Sequence, residues 1–156
     1  MHILFVCTGN TCRSPMAEAI LRQALAARGA TDITTASAGT GAWDGAPVSE
    51  GAYLVALERG LDLSGHRARL LTDGMIAEAS LILTMSRHHR ARVVDLGGGE
   101  KAHLIGDFAG RSGPEAEVPD PFGADLDAYR ETFEELVRLI DAVVARLTAE
   151  PPGDSR

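Results

Sequence analysis

The segment Leu81-Ile82-Leu83-Thr84-Met85 is apolar at nearly every position, and it constrains the fold more than any other stretch. A strand without polar alternation suits burial on both faces, the situation of a parallel sheet covered by helices. The rest of the chain is punctuated to match. Residues 2 to 6 form a second short apolar run, followed by a Gly-containing loop and then by Met16, Ala17, Ile20, Leu21, Ala24 and Leu25 at helical spacing, closed by Gly29. Ile33 to Ser37 reads as another strand, and Pro47 and Ser49 open a helix that runs to Gly60. A short helix is expected over residues 72–79 and another over Arg87 to Leu96, broken by Gly97-Gly98-Gly99. Ala102 to Ile105 is the fourth strand candidate. After a long polar loop, the last helix carries Tyr129, Phe133, Leu136, Val137, Ile140, Val143, Val144 and Leu147 on one stripe.

Strands that alternate with helices imply right-handed crossovers and a doubly wound α/β fold, a four-stranded parallel sheet in three layers. Ligands bind such sheets at the carboxyl ends of the strands, so the loop after the first strand is the prime site. At 156 residues the chain fits one domain, expected over 1–150, with a flexible C-terminal tail over 151–156 after Pro151-Pro152-Gly153. A net charge of -7 with no Lys/Arg cluster argues against nucleic-acid binding. No run approaches the roughly 20 apolar residues that cross a bilayer, and Met1 to Val6 has no basic leader, so neither membrane attachment nor secretion is expected. The two cysteines, Cys7 and Cys12, form no disulfide framework; a reducing, cytoplasmic setting suits a free reactive thiol.

Cys7-Thr8-Gly9-Asn10-Thr11-Cys12-Arg13-Ser14 places a thiol directly after a strand and an arginine directly before a helix. A loop of that length curls so that its N–H groups point inward, a nest for a tetrahedral anion at a helix N-terminus. Gly9 is expected to permit the tight backbone. Arg13 adds a two-pronged grip on phosphate oxygens. The same positive field is expected to lower the pKa of Cys7, whose thiolate is the competent nucleophile.

This Cys-x5-Arg spacing resembles the signature of protein tyrosine phosphatases. Pro15-Met16-Ala17-Glu18, Ser37-Ala38-Gly39-Thr40-Gly41-Ala42-Trp43 and Asp120-Pro121-Phe122-Gly123 narrow the resemblance to the low-molecular-weight family, over nearly the whole chain. It implies a flavodoxin-like fold, no metal, no cofactor, phosphorylated proteins as partners and inorganic phosphate as product. It further implies catalytic roles for Cys7, Arg13 and the general acid Asp120, and phosphate binding along Thr8, Gly9, Asn10, Thr11, Cys12 and Ser14. Asn10 is expected to brace the loop with Ser37 in support, Ser14 to stabilise the thiolate, and Phe122 to border the substrate. The five histidines show no paired ligand spacing.

Plainer readings exist for single residues. Cys7 alone reads as a buried small hydrophobe until Arg13 is counted, and Asp120 before Pro121 also reads as a turn former. Cys12 reads equally as an inert core thiol or as a redox partner of Cys7. Trp43 is at most a rim contact, and His66, His88 and His89 read as surface or packing residues with no assigned role. Arsenate reductases share the loop but relay electrons through downstream cysteines, and this chain has none after Cys12. A cysteine phosphocarrier would need neither Arg13 nor Asp120; a non-catalytic anion-binding module is the third rival. Within the resembled family, tyrosine-directed members usually carry Ile where this chain has Thr11, Met-Asp where it has Met85-Ser86, and tandem tyrosines where it has Phe122-Gly123. Those three departures point to phosphoarginine, with phosphotyrosine as the alternative.

Overall fold

A computed structural model describes residues 1–149. The expected tail lies outside the described residues. Four strands, β1 (His2–Cys7), β2 (Thr34–Gly39), β3 (Leu81–Thr84) and β4 (Ala102–Leu104), form one parallel sheet in the order β2-β1-β3-β4. The helices are α1 (Arg13–Ala27), α2 (Glu50–Glu58), α3 (Asp73–Glu78), α4 (Arg87–Asp95), α5 (Ile105–Phe108) and α6 (Leu126–Thr148). The chain leaves β1 for β2 on one side and reaches β3 on the other, so the crevice where strand order reverses opens above β1.

Alternation along β1 splits the core in two. Ile3, Phe5 and Cys7 join α1, α2 and α6 on one face, while Leu4 and Val6 join Ile76 of α3 and Val93 of α4 on the other. On α6, Tyr129, Thr132, Phe133, Leu136, Leu139, Ile140, Val143 and Val144 are buried; Thr132 and Leu139 lie outside the stripe expected from the sequence. Each fully buried aliphatic or aromatic side chain of this kind contributes roughly 1.5–3 kcal/mol. β2 begins and ends later than expected because its limits follow β1: His2 pairs with Thr34 and Cys7 with Gly39. The loop after β4 holds α5 and a 3-10 turn at Gly113–Ala116, elements too short to show a period in sequence.

Candidate active site

Residues 8 to 12 wrap the carboxyl end of β1 and deliver the chain to the N-terminus of α1. That helix start has no side-chain cap and no acidic residue in its first turn, so no side chain of its own competes for its first free amides. The left-handed backbone position is Asn10, at φ 56°, and not Gly9 as expected. Asn suits that region because its short polar side chain bonds locally. Here it does so extensively: buried Asn10 donates through Nδ2 to Ser14 Oγ at 2.8 Å and to Ser37 Oγ at 2.9 Å, and its Oδ1 accepts from the Arg69 amide at 2.9 Å. The Ser37 hydroxyl donates a hydrogen bond to Glu18 Oε1 at 2.7 Å. Ser14 Oγ in turn stands 2.9 Å from Cys7 Sγ.

Cys7 is buried at the floor of a cavity of about 320 Å³, bordered by Thr8, Gly9, Thr11, Cys12, Arg13, Gly41, Trp43, Ala46, Asp120 and Phe122. Burial pushes its thiol above the ordinary value; the Ser14 hydroxyl and amide, the Arg13 guanidinium and the Asn10 amide pull the other way and do not win. The lowered pKa expected from the sequence is therefore overturned. Charge and dipole act in the expected sense, but the sequence gives no measure of the water removed from around sulfur. Arg13 is buried too, and its fork is aimed by three groups: Nη1 donates to Val118 O at 3.0 Å and Ser86 Oγ at 3.3 Å, and Nη2 lies 3.5 Å from Asp120 Oδ2. Val118 is fixed to the end of β3 by its amide, which donates to Met85 O at 2.9 Å. Asp120 is half-exposed and also accepts from the Phe122 amide at 3.0 Å, so the turn-forming role and a place at the site coexist.

Thr11 presents a partly buried hydroxyl to the same cavity, and Phe122 and Trp43 stand exposed at its mouth. Cys12 is a free, buried thiol, 3.1 Å from Ser49 Oγ and 3.6 Å from the Tyr129 hydroxyl. Among the described residues, no group of His, Cys, Asp or Glu is arranged to hold a metal. Cys7, Thr8, Gly9, Thr11, Cys12 and Arg13 thus converge with Asp120 and Phe122 on one cavity, while Asn10, Ser14 and Ser37 are buried outside its lining.

Several contributors escaped the sequence reading. His66 Nε2 donates to the Asn10 carbonyl at 2.8 Å, and His89 Nε2 lies 2.8 Å from Thr8 Oγ1, so these two histidines touch the loop rather than sit aside from it. Gly39 has no room for a side chain: a Cβ there would stand 2.4 Å from Thr8 O. Only the third dimension joins these residues to the loop; the glycine within Ser37 to Trp43 was the sole local signal.

The family model for low molecular weight phosphotyrosine protein phosphatase matches residues 2–152. The chain belongs to the low molecular weight phosphotyrosine protein phosphatase family. It is accordingly a phosphoprotein hydrolase. A protein-arginine-phosphatase of Geobacillus stearothermophilus is 35% identical over 151 residues, covering 96% of this chain and 97% of that one. A probable low molecular weight protein-tyrosine-phosphatase, EpsP, of Ralstonia nicotianae is 35% identical over 155 residues, covering 94% and 96%. The crystal structure of a low molecular weight protein tyrosine phosphatase from T. tengcongensis superposes with a TM-score of 0.87 at 41% identity, covering 94% of this chain and 99% of that one. Both substrate classes of the low molecular weight phosphatases therefore occur among relatives of similar distance.

Proposed function

We propose that this phosphatase hydrolyses phosphoarginine side chains of proteins through a phosphocysteine on Cys7. The convergence of the Cys7 sulfur, the Arg13 fork and the Asp120 carboxylate on one cavity carries the reading. Inward amides and Arg13 hold the phosphoryl oxygens and the charge that spreads over them in the transition state. The Cys7 thiol first gives its proton to solvent, a step that burial opposes and Ser14 and Arg13 favour. The thiolate Sγ then attacks phosphorus; the S–P bond forms as the P–N bond of phosphoarginine, or the P–O bond of phosphotyrosine, breaks. Asp120 gives its proton to the departing group. It then takes a proton from the water that attacks phosphorus, the S–P bond breaks, and inorganic phosphate leaves with Cys7 restored as thiolate. No metal or cofactor enters these steps. The chain acts on phosphorylated proteins, in the reducing cytoplasm that suits its free thiols Cys7 and Cys12.

The arginine preference rests on Thr11. A hydroxyl lining the cavity can bond the N–H groups of phosphoarginine, whereas an apolar branched side chain there would pack on a phenyl ring. The Asp120 carboxyl adds an acceptor oxygen for an N–H of the substrate guanidinium. Comparing kcat/KM on phosphoarginine and phosphotyrosine peptides tests the preference, and Thr11→Ile should move it towards tyrosine. A large tyrosine preference in the wild-type protein would establish the alternative substrate, and turnover surviving Cys7→Ser would end the phosphocysteine route.

A further inference from the structure

The ring of His89 is completely buried in the first turn of α4, and the chemistry at Cys7 and Asp120 gives it no task. Its two nitrogens are nevertheless both engaged. The Ser86 amide donates to Nδ1 at 3.0 Å. An amide N–H can only donate, so Nδ1 must carry the lone pair and the ring proton must sit on Nε2. Nε2–H then donates to Thr8 Oγ1 at 2.8 Å. One imidazole thereby spans from the residue that follows the nucleophile to the residue whose hydroxyl accepts from Arg13 Nη1.

We propose that His89, locked as the Nε2–H tautomer, is a positioning residue that ties the Thr8 side of the phosphate loop and the Ser86 support of Arg13 to the start of α4. The proposal rests on the phosphatase reading of the loop. It follows that the Thr8 hydroxyl, with one lone pair occupied by His89, is directed to donate elsewhere, and that the ring works only while neutral. The surroundings keep it so: the ring is buried, His88 lies against it with centroids 4.0 Å apart, and the Arg13 cation is near, which together lower its pKa from 6.5 to about 3. Its partners from the loop and from Ser86 are uncharged.

The test uses the full chain with p-nitrophenyl phosphate as substrate and inorganic phosphate as competitor. In folded His89→Ala, kcat should fall by about tenfold or more and phosphate inhibition should weaken by a similar factor, because transition-state and oxyanion contacts share the displaced loop. His89→Gln, which can present an N–H to Thr8, should recover part of both. Thr8→Val should reproduce much of the loss, and adding His89→Ala to it should cost no more than about twofold further. If His89→Ala keeps kcat and phosphate inhibition within about twofold of wild type and loses only thermal stability, the ring is a core residue and the proposal fails. Losses that multiply in the double variant overturn it equally. Should His89→Ala not fold, nitrogen NMR of the wild-type protein decides: a protonated Nδ1 refutes the tautomer on which everything hangs. Absence of turnover in the wild type would strike the phosphatase reading instead, and phosphate affinity measured by calorimetry would still report the His89 contacts.

Discussion

Gly39→Ala is the sharpest perturbation available, because it touches no group with chemistry of its own. The added Cβ would stand 2.4 Å from the Thr8 carbonyl oxygen, 2.9 Å from the Asn10 nitrogen and 2.9 Å from Ala42 Cβ. Heavy atoms rest at roughly 3.5 Å, so something has to retreat by about 1 Å. Two of the three neighbours are backbone of the phosphate loop, and that loop is stitched to the end of β2 by Thr40 N to Cys7 O and Gly41 N to Thr8 O, each 2.9 Å. The loop therefore moves, and Cys7 moves with it. A misplacement of that size costs about 10²-fold in rate, or about 2.7 kcal/mol of transition-state stabilisation. Overpacking costs a further ~1–3 kcal/mol of stability, at about 2–4 °C in Tm per kcal/mol. The assay is kcat/KM on p-nitrophenyl phosphate beside a thermal melt, with Gly41→Ala as comparison, since a Cβ at Gly41 meets nothing nearer than 3.9 Å. A folded Gly39→Ala protein as active as wild type, or no worse than Gly41→Ala, would refute the claim that this contact sets the loop.

Asp120→Asn should lower kcat far more on peptide substrates with poor leaving groups than on p-nitrophenyl phosphate, whose leaving group needs little protonation; equal losses on both would remove the acid role. His89 also makes an acid-stability signature. It stays neutral in the folded protein down to about 3 but takes a proton near 6.5 when unfolded, so stability is intact above pH 6.5 and is lost at up to about 1.4 kcal/mol per unit as pH falls towards 3. His89→Gln should flatten that slope in urea titrations between pH 4 and pH 6.5, taking these bounds as about the working range. Gly51→Ala should destabilise the fold by about 1–3 kcal/mol while lowering kcat far less than Gly39→Ala does, because a Cβ there would lie 2.5 Å from the Tyr129 ring across the α2–α6 contact and reaches the loop only through the Tyr129 hydroxyl beside Cys12. Chemical denaturation gives the first number and steady-state turnover the second.

What the sequence made legible was whatever is fixed by short-range spacing. Cys7 and Arg13 are held at the two ends of one loop by chain length alone, and the unbroken apolar run at β3 needs a sheet covered on both sides. The limits of β2 were misread because they are set by pairing with β1 and not by the propensities of Ile33 or Ala38. His66 and His89 lie far from residues 8–10 along the chain, and no period or motif links them; Gly39 stands in the Ser37–Trp43 motif, which does not show that it makes room for the Thr8 carbonyl. The direction of the Cys7 shift was missed for a related reason: attraction follows from which residues are adjacent, whereas dehydration depends on everything packed above them.

The guanidinium of Arg13 is moored to the Val118 carbonyl and faces the Asp120 carboxylate, two residues apart on a single loop. The anion grip and the proton source are in this way parts of one joint. A change that loosens either end will be felt at the other, so tuning for a new leaving group at Asp120 also disturbs the hold on phosphate. Adaptation to new substrates has a freer hand at the cavity mouth, where the side chains of Trp43 and Phe122 reach into solvent and only the Phe122 backbone is tied to Asp120.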